Sequence, residues 1–147
     1  MERDVTIRVM TGEDYPAVYK LWKEVPGMGM RSLDDTEQGI GRFLARNPGA
    51  CFVAETGGEL AGAVLSGHDG RRGYIYHAAV REEYRHRGIG KALVQAVEAA
   101  MAGQGITKIA LVAYKTNEGG NRFWEESGFF PREDLVYRDK SLNRENQ

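Results

Sequence analysis

The stretch from Arg81 to Lys91, "REEYRHRGIGK", gathers Arg81, Arg85, His86, Arg87 and Lys91 around two glycines, Gly88 and Gly90. It runs straight into a segment in which Ile89, Leu93, Val94, Val97 and Met101 share one helical face. The mouth of such a helix carries amides without an intrahelical partner and about half a positive charge. Ser, Thr, Asp or Asn ordinarily caps those amides, and none of them occurs between Arg85 and Lys91. Glycine, lacking Cβ, lets a ligand approach the backbone closely, and the basic side chains add charge around it. The chemistry that suits this pattern is the holding of a phosphate group, which would itself act as the cap. A basic turn with amides satisfied by water is the competing reading.

Two nucleotide-binding patterns do not fit. A phosphate loop, G-x-x-x-x-G-K-[ST], would put Arg85 at its first glycine and Ala92 at its hydroxyl. A dinucleotide fingerprint, G-x-G-x-x-G, would put Leu93 at its third glycine. His68 beside Asp69 offers two metal ligands, but no third has suitable spacing, and no metal is assigned.

The elements that must position this loop follow from periodicity. A strand is predicted at Val5–Val9, then a helix from Thr11, its N-cap, with Val18, Leu21, Trp22 and Val25 on one face. "PGMGM" interrupts, and a second helix is predicted from Asp34 to Arg46. "ACFVAE" and "LAGAVLSGH" form a hairpin across "TGGE", and "HDGRRG" turns the chain into a third antiparallel strand, Tyr74–Val80. On that strand Tyr74 and Tyr76 should share one face, with His77 on the other. After the central helix, which Gly103 and Gly105 end, "KIALVAY" reads as a buried strand. A short helix, "NEGGNRFWEES", and a last strand, "LVYRDKSL", follow, with "NRENQ" as a frayed tail. The strand–helix–strand of the second half needs a crossover, so part of the sheet is parallel and the class is α+β with a mixed sheet.

Composition narrows the function classes. The 147 residues are 41% apolar and 28% charged, ordinary for a soluble globular chain. A single cysteine, Cys51, permits no internal disulfide and reads as a buried apolar residue. No apolar run is long enough to span a membrane, and the charged start "MERDVTIRV" is unlike a secretion signal, so a cytoplasmic location is expected. A formal net charge of −1 argues against a nucleic-acid-tracking surface and for a small anion site.

The segment "AAVREEYRHRGIGKALV" closely resembles motif A of the GNAT superfamily of N-acetyltransferases, with Arg85, Gly88 and Gly90 at the places of [QR]-x-x-G-x-[GA]. "NEGGNRFWEESGF" is similar to the family's second block, which Asn117, Phe123, Gly128 and Phe129 match. "GHDGRRG" ahead of the strand and "RGIG" after it look most like the bacterial YpeA-type branch. The order of elements over roughly residues 4 to 140 is also the family's, which implies a single N-acetyltransferase domain across residues 1–147.

The resemblance implies acetyl-coenzyme A as co-substrate and transfer of its acetyl group to a primary amine of a small molecule or peptide. By the same resemblance the pyrophosphate rests on backbone amides of Arg85, His86, Arg87, Gly88, Ile89, Gly90 and Lys91. The pantetheine arm then lies along Ala78, Ala79 and Val80 as an added strand. Asn117 meets its far end or caps the short helix, and Trp124 stands where many relatives place an acidic tyrosine. Val112 occupies the place of a basic glutamate in some relatives. Tyr76 in the acceptor channel and His77 as general base are the catalytic candidates, with Tyr114 as a substitute acid. The acceptor site falls to the N-terminal helices, with Glu24–Asp35 as a lid whose Met28 and Met30 line a pocket or pack on the core. Asp34, Asp35 and Glu37 are placed to attract a cationic amine. No nucleic acid or membrane partner is expected, and a homodimer is left open. A non-catalytic acyl-coenzyme A binding module is the alternative reading.

Overall fold

The computed structural model describes residues 4–147. Five strands form one sheet in the order β1 (Val5–Val9), β2 (Phe52–Thr56), β3 (Glu59–His68), β4 (Gly73–Val80) and β5 (Ile109–Leu111). The first four pair antiparallel, and the turns between them match their residue types. Gly57 and Gly58 take positive φ between β2 and β3, as does Gly70 between β3 and β4. β4 and β5 pair in parallel through the crossover helix α3 (Ile89–Gly103), giving the expected mixed α+β sheet.

Two apolar layers sandwich the sheet. On one face α1 (Tyr15–Glu24) and α2 (Glu37–Arg46) bury Val18, Leu21, Trp22 and Ile40 against Val53, Ala63, Leu65 and Ala79. On the other, α3 presents Leu93, Val94, Val97 and Met101, with Val64 and Ile75 beneath, and α4 (Glu118–Glu126) adds Trp124 at the margin. Cys51 is buried between strands, its thiol donating to the Ser66 carbonyl at 3.2 Å, and burial pushes its pKa up to about 12. Arg8 joins β1 to Glu55 of β2 and to Asp14 at 2.7 Å, and Asp14 also accepts the Thr11 amide at 2.8 Å. That amide bond opens a short 3-10 turn, Gly12–Asp14, ahead of α1, and Pro16 falls in the first turn of the helix.

Several sequence expectations are corrected here. The second helix begins at Glu37, capped by Thr36, because residues 31–35 close a turn of their own, Asp35 N–H to Arg31 C=O. "KIALVAY" contributes only Ile109–Leu111 to the sheet, and Val112 and Tyr114 are each 55% exposed. The parallel pairing stops at Ile75–Leu111, where β4 is interrupted by a bulge: Ser66 pairs with Ile75 and Leu65 with His77, leaving Tyr76 as the extra residue. A bulge bends and twists its strand, so β4 and the chain after β5 diverge beyond it. "LVYRDKSL" forms no strand. The outer edge on which it would pair ends at Leu111, and Leu135, Val136, Tyr137 and Leu142 remain exposed. The tail is not frayed either. Asn146 Oδ1 accepts the amides of Leu33 and Asp34, at 2.9 and 3.1 Å, and the Gln147 carbonyl accepts that of Ser32 at 2.6 Å.

No helix among the described residues is long and apolar enough to cross a membrane.

Candidate functional site

The mouth of α3 is built as its sequence demands. Gly88 is the N-cap residue, in the left-handed region at φ 79°, and His86 also takes a positive φ of 64°. The first bond into the helix runs from the Ala92 amide to the Gly88 carbonyl, 3.0 Å. Ahead of it the amides of Ile89, Gly90 and Lys91 meet no capping side chain among the described residues. Alternating backbone handedness turns successive amides toward one concavity, a geometry suited to anions.

The two glycines of the loop have different jobs. A Cβ at Gly88 would meet nothing within 4 Å, so its side chain is excluded by backbone conformation. A Cβ at Gly90 would come 3.1 Å from the Phe123 ring, so this glycine lets α3 and α4 pack together. The basic residues also divide. Arg85 turns back and donates from Nε to the Val80 carbonyl at 3.2 Å, tying the loop to the end of β4. The Arg87 guanidinium lies 5.5 Å from the centre of the Tyr84 ring, at the rim.

Next to this mouth runs an open strand edge. β4 is paired to β3 along its length but to β5 only through Gly73–Ile75, so among the described residues Tyr76–Val80 have no strand partner on the side of the wedge. Ala78, Ala79 and Val80 fall on that edge. Across it, Asn117 caps α4 by accepting the Gly120 amide at 3.1 Å, and Trp124 packs edge-on between Phe123 and Phe129. Gly27 and Gly29 of the "PGMGM" loop come against Asn117 and Tyr114, so this loop crosses the mouth of the wedge. Both glycines have positive φ, which explains their alternate spacing. Met28 and Met30 are partly buried against the α1–α2 core.

The bulge also decides where the catalytic candidates point. Alternation puts His77 on the face opposite Tyr76; the structure puts both on the α1–α2 side. One inserted residue resets the alternation, which corrects the sequence expectation. The Tyr76 ring, 53% exposed, lies against Tyr74 and edge-on to Phe43 of α2, with centroids 4.6 and 5.4 Å away. Burial raises its phenol above the ordinary tyrosine range, and charges at Tyr137, Asp34 and Asp69 add to that. His77 is buried, its Nε2 2.9 Å from Asp35 Oδ1 and its ring against Trp22.

The acidic trio is dispersed rather than gathered. Asp35 is buried on His77, Asp34 holds the Asn146 amide at 2.9 Å, and Glu37 opens α2. His68 is also engaged, with Nε2 on the Gln104 side-chain carbonyl and Nδ1 accepting the Gly70 amide at 3.0 Å. Asp35 and Phe43, the neighbours of His77 and Tyr76, carried no sequence signal of that role; the paired glycines at 27 and 29 did mark the loop that crosses the wedge.

Comparison with known proteins gives the family. Residues 15–129 match the model of the Acetyltransferase (GNAT) family. An acetyltransferase of Pectobacterium atrosepticum is 36% identical over 112 residues, covering 76% of this chain and 78% of its own. One of Sodalis glossinidius is 32% identical over 136 residues, 92% of this chain and 94% of its own. Among solved structures, an aminoglycoside N-acetyltransferase in complex with coenzyme A superposes with a TM-score of 0.76 at 20% identity, covering 95% of this chain and 97% of that one. The chain with the uncapped central helix belongs to the GNAT family of acetyltransferases.

Proposed function

We propose that the chain transfers an acetyl group directly from acetyl-coenzyme A to a primary amine of a small molecule or peptide. One observation carries this reading: the amides of Ile89, Gly90 and Lys91 stand uncapped at the mouth of α3, beside a strand edge open at Tyr76–Val80. A diphosphate suits the first and an extended amide-bearing arm suits the second. Arg87 and Lys91 supply charge at the rim and His86 lies beside them, while Arg85 acts through its bond to Val80. Asn117, with its Oδ1 committed to the helix cap, faces the far end of the arm with Nδ2, and Trp124 walls that end. Within the family, "GHDGRRG" and "RGIG" support placement in the YpeA-type branch.

In the reaction the amine nitrogen bonds to the thioester carbonyl carbon, the C–S bond breaks, and the thiolate gains a proton while the amine loses one. Tyr76 is the group we assign to the proton-donating side. Its raised phenol stays protonated through neutral pH, so it donates and does not act as a base. His77 as general base would need its buried Nδ1 to reach the amine, so it takes a lesser place in this proposal.

The test is acetyl transfer across an amine panel, read by release of the thiol. Turnover that needs both acetyl-coenzyme A and an amine supports the reading. Coenzyme A affinity with no turnover on any amine would favour a binding module, which Trp124 in place of tyrosine and Val112 in place of glutamate motivate.

A further inference from the structure

A buried polar knot ties the loop ahead of α2 to the strand that carries Tyr76. Asp35 is 4% exposed and is held from several directions. Its Oδ1 lies 2.9 Å from His77 Nε2, and its Oδ2 accepts the Arg31 amide at 2.6 Å. Its own amide donates to the Arg31 carbonyl at 3.1 Å, and its carbonyl accepts the Tyr15 hydroxyl of α1 at 2.6 Å. His77 is 9% exposed, sits directly after the bulge residue Tyr76, and packs edge-on to Trp22 with ring centroids 4.8 Å apart. Among the described residues no lysine or arginine makes an ion pair with Asp35, so His77 is its one side-chain partner of basic character. His77 Nδ1 and Trp22 Nε1 are buried with no hydrogen-bond partner among the described residues.

A buried carboxylate that loses its partner costs more than the same pair replaced by apolar groups, so this contact is retained at some expense to stability. What it secures is position. The segment from Gly27 to Asp35 leaves α1, crosses the wedge against Tyr114 and Asn117, and ends on His77. One side-chain pair thereby fixes the loop over the wedge and the backbone beside Tyr76 relative to each other.

We infer that Asp35 and His77 are positioning residues for acetyl transfer: their hydrogen bond clamps the 27–35 loop to β4 and holds Tyr76 in register with the acceptor. The inference rests on the acetyltransferase reading and adds to it a pair that touches neither coenzyme A nor the reacting atoms. A displacement of about 1 Å at a reacting group costs roughly a hundredfold in rate, so loss of the clamp is expected to appear in kinetics.

The test compares His77→Leu, the double variant Asp35→Leu/His77→Leu, His77→Gln and Asp35→Asn, with an amine that the wild-type chain accepts. Calorimetry with coenzyme A alone is run in parallel. The double variant leaves no unpaired carboxylate, so it keeps the test readable should His77→Leu alone fail to fold. Both apolar variants are expected to lower kcat roughly ten- to a hundredfold and raise the acceptor KM, with coenzyme A affinity unchanged. Glutamine keeps an N–H for Asp35, and asparagine can donate to the other tautomer of His77, so both are expected to stay within about threefold of wild type. Wild-type kinetics in a folded double variant would overturn the inference. So would His77→Gln and Asp35→Asn as slow as the apolar variants, since the ring's proton chemistry would then matter and not the clamp. No turnover by the wild-type chain on any amine would sink the acetyltransferase reading and this inference with it.

Discussion

The two sides of the wedge are made of different material. On the α3 side the candidate binding surface is backbone: uncapped amides at Ile89, Gly90 and Lys91, a left-handed Gly88, and a strand edge left open along β4. On the α1–α2 side it is side chains brought from distant parts of the chain. Asp35 meets His77, Phe43 meets Tyr76, and residues 146–147 return to 32–34. A surface of amides recognises the same phosphate whatever side chains surround it, so it needs only spacing and handedness to be specified. A surface of side chains can differ with each acceptor while the fold stays fixed. On the function proposed above, this division separates a constant donor from a variable amine, and it can be broken one side at a time.

The largest effect is expected from Gly88→Glu. A Cβ there has room, but φ of 79° strains any L residue, and a carboxylate at the helix mouth opposes a diphosphate. Coenzyme A affinity should fall at least about a hundredfold in calorimetry while circular dichroism stays that of the wild type, since two like charges about 4 Å apart near a protein surface cost about 4 kcal/mol. Retained affinity would place the donor elsewhere. Gly90→Glu sharpens the point. Its side chain meets Phe123, so it should lower the melting temperature further than the backbone strain of Gly88→Glu does.

On the other side, Tyr76→Phe should lower kcat by about tenfold or more with coenzyme A affinity unchanged, the usual size of a lost proton-transfer group. An unchanged kcat would remove the phenol from the reaction. Because a donor must be protonated and the phenol's pKa is raised, its contribution should persist through pH 8 and be lost only above the ordinary tyrosine range.

The smallest effect lies outside both surfaces. Arg8 holds the Asp14 carboxyl below the usual carboxylate range, with the Thr11 amide assisting. A depressed folded-state pKa contributes stability above the unfolded value, and that contribution is lost as pH falls through the folded one. Asp14→Asn should therefore cost about 1 kcal/mol at neutral pH, discounted for the partly exposed Arg8, and progressively less as pH falls below the ordinary aspartate value. Denaturant midpoints at neutral and acid pH check it, with coenzyme A affinity unmoved at neutral pH.

The same division explains what could be read from the sequence. The helix mouth was legible because its signal is local: glycines at 88 and 90, no capping residue, and an apolar stripe beginning at Ile89. The hairpins were legible for the same reason, at Gly57-Gly58 and Asp69-Gly70. His77 was placed on the wrong face because a bulge is set by how β3 and β4 register against each other, which alternation along β4 alone does not contain. The 135–142 segment has a strand's composition but lacks an edge to pair with once β5 ends at Leu111. Asp35 looked like one carboxylate among three, and its role depends on a residue 42 positions away. That Gly90 also makes room for the Phe123 ring carried no local signal, because α4 lies beyond the next strand of the chain.

The most direct test is a 1H–15N titration of the chain with coenzyme A. The account expects the largest amide shifts at Arg87, Gly88, Ile89, Gly90 and Lys91, where uncapped N–H groups acquire a diphosphate. Those five amides unmoved at saturation, with the principal shifts elsewhere, would contradict it.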